Sequence, residues 1–398
     1  VSGLPLEGMR VLDVSQVMAG PFCCMMLGDM GADIIKVEPP ETGDQTRRAM
    51  GFRLNSDDSP GFLALNRNKR SIEINLKSEA GREVFYKLVE TADVLVENNR
   101  PGVAKRLKID YDTLRAINPG LIYASISGFG QTGPYAQRPG FDLIAQAMSG
   151  VLSATGTPDG EPVKCSVPVA DLGAGLFSIY AILSAYIGRQ KSGEGQYIDA
   201  SLIEAAMALS VWEVTEYWGT GKIPKPIGTA NRMSAPYQAV KAADGYLVVG
   251  AANQKLWEAF CTVLGRPELF ADPRFVSNVE RLGNRAELMA EFEPIFLSNT
   301  VEHWVDALLE AGVPAAPVHN FAQSLGSEHA KARNMVMEID HPAEGSIKAL
   351  GFPVKMGGTP QQVRFPPPML GEHTADILAE IGMSAEFEAL SGRGAFSK

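Results

Sequence analysis

The chain has 398 residues, 45% of them hydrophobic and 21% charged, and its 36 Lys and Arg stand against 46 Asp and Glu for a net charge of −10. This balance belongs to a folded globular protein of two or three domains, at roughly 150 residues each, and it excludes disordered and collagen-like chains. The acidic balance also argues against a non-specific nucleic-acid binder or a binder of anionic membranes.

Short apolar runs alternate with helical patterns in the first half. Arg10–Val14 reads as a strand, residues 18–32 as a helix of small residues, and Asp33–Pro40 as a strand stopped by its prolines. Ser71–Leu76, Asp93–Asn98 and Leu121–Ser127 read as further strands with helical segments between them. This alternation predicts a mostly parallel sheet covered on both faces, an open doubly wound, Rossmann-like α/β domain. From Asp171 the run DLGAGLFSIYAILSAYIGRQ is apolar on nearly every side, which predicts a buried helix. A second long helix starts near Ser201, and Gly219–Thr229 reads as a Gly- and Pro-rich linker. Two alternating segments around Asp244-Gly245 predict a hairpin, followed by three helical segments. The expected layout is a discontinuous large domain (1–205 and 330–398), a linker (206–225) and a smaller α+β domain (226–329). No apolar run reaches the ~18 residues of a membrane span. The opening VSGLPLEGMR lacks the charged start and apolar stretch of a signal peptide. Four scattered cysteines do not make a disulfide framework, so a reducing cytoplasm, or a matrix-like compartment in a eukaryote, is expected. The five histidines show no zinc-ligand spacing, so no metal site is expected.

Several motifs carry both a structural and a chemical reading. Gly128, Gly130 and Gly133 fit GxGxxG, but Pro134 follows where a dinucleotide fingerprint needs a helix. Asp171 opens the apolar helix. It is either an N-cap or an ionised nucleophile, with Gly173 and Gly175 clearing space for an electrophile and baring N–H groups. NRNKR (Asn66–Arg70) is a solvated turn or an anion cradle, and Arg106 adds a cation after a strand end. Lys36 and Arg47 fit either role. Arg138 and Phe141 share a loop after a strand, where Phe141 suits stacking or the core. Cys23 and Cys24 read as core packing, since no His or Lys flanks them.

Together the segments LPLEGMRVLDVSQVMAGPFCCMMLGDMGADIIKVEPPETGD, NRNKRSIEINLK, ADVLVENNRPGV, YASISGFGQTGPYAQRPGFD, VPVADLGAGLFSIYAILSAY and PPPMLGEHT resemble the class III CoA-transferase family. The segment GTANRMSAPYQAVKAADGYLVVGA resembles most the succinyl-CoA:glutarate branch. The resemblance implies an interlocked homodimer with a CoA site between large-domain loops. By motif it assigns Asp171 as the catalytic aspartate, and Val17, Met18, Asn68, Lys69, Asn98, Asn99, Arg106, Arg138 and Phe141 as CoA contacts. Oxalate-using formyl-CoA transferases carry Gln at Met18, Arg at Pro39 and a glycine run where GTANRMSAPYQ stands here, so oxalate is not the expected acid.

The expected activity is transfer of CoA from an acyl-CoA, succinyl-CoA by this reading, to a small dicarboxylate. It would pass through an aspartyl mixed anhydride and an aspartyl-CoA thioester. CoA thioester is the substrate, and no tightly bound cofactor is expected. Arg47 and Arg232 are the candidate cations for the far carboxylate. Two alternatives stand beside it. One is an acyl-CoA racemase, which the family equips with a His where Phe141 stands; the other is a non-catalytic CoA-binding protein with Asp171 as a cap.

Overall fold

The computed structural model describes residues 3–48 and 53–396. The chain divides into two compact units, one formed by Val1–Val151, Cys165–Ser210 and His329–Lys398, the other by Leu152–Lys164 and Val211–Glu328.

The first unit is built on six parallel strands: β1 (Arg10–Asp13), β2 (Asp33–Glu38), β3 (Lys69–Glu73), β4 (Val94–Glu97), β5 (Ile122–Ser127) and β6 (Tyr197–Ser201). Their order is β3-β2-β1-β4-β5-β6, every pair parallel, which is the order of a doubly wound dinucleotide-type sheet. Both faces are covered, so the strands read as near-continuous apolar runs. Leu12, Ile35 and Leu95 point into one core with helix Glu79–Glu90. Val11, Ile34, Val94 and Val96 point into the other, with helix α1 (Ala19–Asp29) and the helix Val169–Ser192 that carries Asp171. The C-terminal segment packs back on the first face through Ile377, Leu378, Leu390 and Phe396. A separate antiparallel pair, β10 (Val336–His341) and β11 (Gly345–Leu350), completes this unit.

The Asp171 helix departs from expectation. Its length and apolar character are those of a membrane-spanning helix, which the run-length reading missed because polar residues break the run. It is nevertheless a domain helix, packed on β5, β6 and α1 through Gly175, Ser178, Ile182 and Ala185. Burial is one-sided: Leu176, Tyr180 and Ile187 are 50–63% exposed in the single chain. The expected second long helix is two helices, Leu202–Leu209 and Val211–Thr220, interrupted at Ser210, whose hydroxyl donates to the Ala206 carbonyl.

In the second unit, β7 (Tyr237–Lys241) and β8 (Tyr246–Gly250) form the hairpin around Asp244-Gly245, and β9 (Ala315–Pro317) adds an antiparallel edge. Its core is aromatic, with Trp257 stacked on Phe260, and Phe292 and Phe296 meeting these rings edge-on or tilted.

Candidate active site

The strand order reverses between β1 and β4, and open α/β sheets bind ligands at the carboxyl ends of strands at such a point. Two cavities lie there. The first, of about 350 Å³, is walled by the turn after β1 (Gln16–Ala19), the segment after β4 (Asn98–Arg100), Phe141 and Asp171. The second, of about 560 Å³, lies at the ends of β2 and β3 among Pro39, Pro40, Thr42, Leu76 and Lys77. Gln16 and Asn99 line both, so the two lie side by side along the sheet edge.

Asp171 stands in the first turn of its helix, but it is not the cap: Pro168 occupies that position. The free N–H groups of Ala170 and Asp171 are met instead by Asp142 Oδ1, at 2.9 and 3.4 Å. Asp142 Oδ2 in turn accepts from Gln146 Nε2 at 2.7 Å. Burial, and then the neighbouring Asp142 charge, push the Asp171 carboxyl up to about 7. The expectation of a simply ionised carboxylate is modified: desolvation and a like charge both favour the protonated form. The glycines also serve another end. A Cβ on Gly173 would come within 2.8 Å of Leu209 Cδ1, and one on Gly175 within 2.9 Å of the Ala19 carbonyl oxygen. Both are needed for close helix packing, and Gly175 draws the start of α1 toward the Asp171 helix.

The structure gathers Val17, Met18, Asn98, Asn99, Phe141 and Asp171 around the first cavity. The Phe141 ring is 67% exposed there. Asn99 is held from below by Glu97, whose Oε2 accepts from both its backbone N and its Nδ2. Arg106 and Arg138 are exposed and line neither cavity; the Arg138 guanidinium lies 3.7 Å over the Tyr135 ring.

Asn68 and Lys69 also line neither cavity, and their side chains are taken up by partners inside the fold. Lys69 is wholly buried and its Nζ donates to Asp13, Asn66 and the Pro21 carbonyl, which uses all three protons. Asn68 Nδ2 donates to Asp29 and Gln362 while its Oδ1 accepts from Arg364 N. Arg67 pairs with Asp29 and Arg70 with Asp33 and Glu380, so NRNKR is internal ion pairing and not an anion cradle. Lys36 is likewise buried, against Asp13 and Asp44. Arg47 is 2% exposed, forked onto Glu38, bonded to Asp58 and stacked on Phe62, so it has no face for a substrate carboxylate. Arg232 lies in the second unit, bonded to Glu216 and close to Glu213.

Residues missed from the sequence are Gln16, Gln45, Arg100 and Lys77. Arg100 was within reach of the strand-end rule, since it follows β4 more closely than Arg106 does. Cys23 and Cys24 are buried, and burial raises both thiols, so neither is a nucleophile.

Residues 6–374 match the model of CoA-transferase family III. The chain is 39% identical to a mouse succinyl-CoA:glutarate CoA-transferase over 95% of its own length and 86% of the relative's. It is 41% identical to an acetyl-CoA:oxalate CoA-transferase of Acetobacter aceti, over 89% and 90% of the two chains. A crystal structure of a CAIB/BAIF family protein from Brucella suis superposes with a TM-score of 0.85 at 38% identity, covering 96% of this chain and all of that one. The chain therefore belongs to CoA-transferase family III and is a CoA-transferase.

Proposed function

We propose that this enzyme moves CoA from succinyl-CoA to a small dicarboxylic acid through covalent intermediates on Asp171. The observation that carries the reading is the placement of Asp171 in a cavity at the strand ends with a second cavity next to it, space that suits a long thioester. The acid end of the substrate would lie against Asp171, with Phe141 and the Asn98–Arg100 segment beside it.

The Asp171 carboxylate attacks the thioester carbonyl, forms a mixed anhydride and expels the CoA thiolate. The thiolate attacks the aspartyl carbonyl, giving an aspartyl-CoA thioester and releasing the donor acid as its carboxylate. The acceptor carboxylate attacks that thioester, again expelling the thiolate and forming a second anhydride. The thiolate then attacks the acceptor's acyl carbonyl and returns Asp171 as a carboxylate. No bond energy goes to water, so the partly buried position of Asp171 suits the sequence. The raised carboxyl also suits it: a more basic carboxylate is a better nucleophile once ionised.

The names of the glutarate and oxalate relatives support a dicarboxylate acceptor. Arg100, which lines the Asp171 cavity, replaces Arg47 and Arg232 as the candidate cation for an acidic substrate group. The exposed apolar side of the Asp171 helix, Leu176, Tyr180 and Ile187, supports a homodimer, and the free thiols support a reducing compartment. Among the described residues the cavity lining contains no imidazole and holds both Phe141 and Asp171, which weighs against racemisation.

The test is to incubate the enzyme with succinyl-CoA, quench, digest and weigh the Asp171 peptide, then assay transfer from labelled succinyl-CoA to a panel of acids. The expected result is a CoA adduct on that peptide and transfer that disappears in D171A. Wild-type turnover in D171A would overturn the nucleophile. Proton exchange at the α-carbon of an acyl-CoA, without an acceptor acid, would favour racemisation.

A further inference from the structure

The turn between β1 and α1 is strained and unusually well held. Val17 has φ of +70°, a left-handed conformation that β-branched residues almost never adopt. Five backbone groups of three successive residues are each bonded to a side chain from elsewhere or from β1. Ser15 N donates to Asp13 Oδ1, and Ser15 O accepts from Lys36 Nζ at 3.1 Å. Gln16 N and O are both taken by the Asn98 amide, at 2.8 and 2.6 Å. Val17 N donates to Asp44 Oδ1 at 3.2 Å.

Behind these contacts lies a buried cluster of two cations and two anions. Lys36 Nζ is 2.8 Å from Asp44 Oδ2 and 3.7 Å from Asp13 Oδ2, which is also 2.8 Å from Lys69 Nζ. All four side chains are fully buried. Despite that burial, Lys36 and the Thr46 N–H and hydroxyl hold the Asp44 carboxyl down to about 2, so it is a charged acceptor at any working pH. Buried ion pairs are poor stabilisers, because desolvation offsets their attraction, and a Gly at position 17 would make the same turn without strain. Strain that persists where Gly would relieve it marks a functional wall more often than a scaffold. This turn is such a wall: Gln16, Val17, Met18 and Ala19 line the cavity that holds Asp171.

We infer that Asp44 is a positioning residue: with Lys36 behind it, it clamps the Gln16–Met18 turn in its left-handed form and so sets the wall against which the thioester lies beside Asp171. Asp44 itself lines neither cavity. The inference deepens the transferase reading and rests on it.

The experiment compares D44A, D44N, V17P and the double variant V17G/D44A by transfer kinetics, affinity for free CoA and melting temperature. D44N keeps the acceptor oxygen and should stay within about threefold of wild type in kcat/KM, whereas D44A should fall by about tenfold or more, as for a misplaced site wall. Gly adopts the left-handed turn unaided, so V17G/D44A should recover most of the loss, which a purely structural role for Asp44 would not produce. D44A with wild-type kcat/KM, or a double variant no better than D44A, overturns the proposal. If D44A does not fold, V17P decides. Val17 is 40% exposed, so the change of side chain leaves the core packing alone, yet Pro fixes φ near −65° and removes the donated N–H. A folded V17P within about threefold of wild type would likewise overturn it. If wild type shows no transfer at all, the functional reading has failed on its own, and the same series read by CoA affinity still tests the clamp.

Discussion

Asp171 should be a liability to the fold that carries it, and replacing it by Asn should show this. Its carboxyl is raised from an ordinary 3.8 to about 7 by burial and by Asp142. A carboxyl raised in the folded chain holds its proton there longer than in the unfolded chain. Between pH 3.8 and about 7 the folded chain thus binds more protons, and stability falls as pH rises through that window. At about 1.4 kcal/mol for each tenfold, the full loss above pH 7 is about 4 kcal/mol, and at pH 5 it is about 2 kcal/mol. D171N carries no such loss, and its other titrating groups are those of the wild type. Thermal or urea unfolding of the two proteins at pH 5 and pH 8 should show the variant more stable at both, with the gap roughly doubling at the higher pH. At ~2–4 °C per kcal/mol for a domain of ~150–250 residues, the gap at pH 8 could reach roughly 10 °C. Equal stability at both pH values, or a gap that does not widen, would refute the claim that the nucleophile is held against its own solvation. The same variant should be inactive in transfer, the usual exchange of stability for a reactive site.

Other outcomes follow from the same geometry. D142N keeps an acceptor oxygen for the Ala170 N–H but removes the like charge, so the acid limb of the transfer pH profile should move to lower pH; an unmoved limb would show that the Asp142 charge does not reach Asp171. R100A should raise KM with melting temperature unchanged, whereas K69M should leave Asp13 short of its nearest cation and lose ~3–5 kcal/mol in denaturant unfolding. A K69M protein of normal stability and raised KM would return Lys69 to the ligand contacts. G175A should lose ~1–3 kcal/mol, because its methyl would sit 2.9 Å from the Ala19 carbonyl and push α1 off the Asp171 helix.

Much of this was legible in the order of residues. The alternation of apolar runs and helical segments specifies a parallel sheet because buried strands must be apolar on both faces, and β1, β2, β4 and β5 fall where those runs do. Val17 and Met18 after β1, and Asn98 and Asn99 after β4, marked two walls of the site, since strand ends are positions in the chain as well as in space. Asp171 was visible as an acidic residue at the mouth of an apolar helix.

What the sequence could not decide was which charges are spent inside the fold. Lys36, Arg47, Arg67 and Lys69 look in sequence like the cations of an anion site, yet each is bound to a buried carboxylate, Lys36 and Arg47 to Asp44 and Glu38 eight or nine positions away, Arg67 and Lys69 to Asp29 and Asp13 from more distant segments. Pairing is a property of three-dimensional neighbours, and desolvation makes an unpaired buried cation far more costly than a paired one. The ionisation of Asp171 was decided in the same way, by Asp142, 29 positions away along the chain, and by the depth at which the packing of Gly173 and Gly175 sets its helix. Local order determined the sheet and the mouths of its strands. Only the tertiary structure decided which side chains there remain free to meet a substrate, because solvation and partner charges are set by what packs around a group and not by what precedes it in the chain.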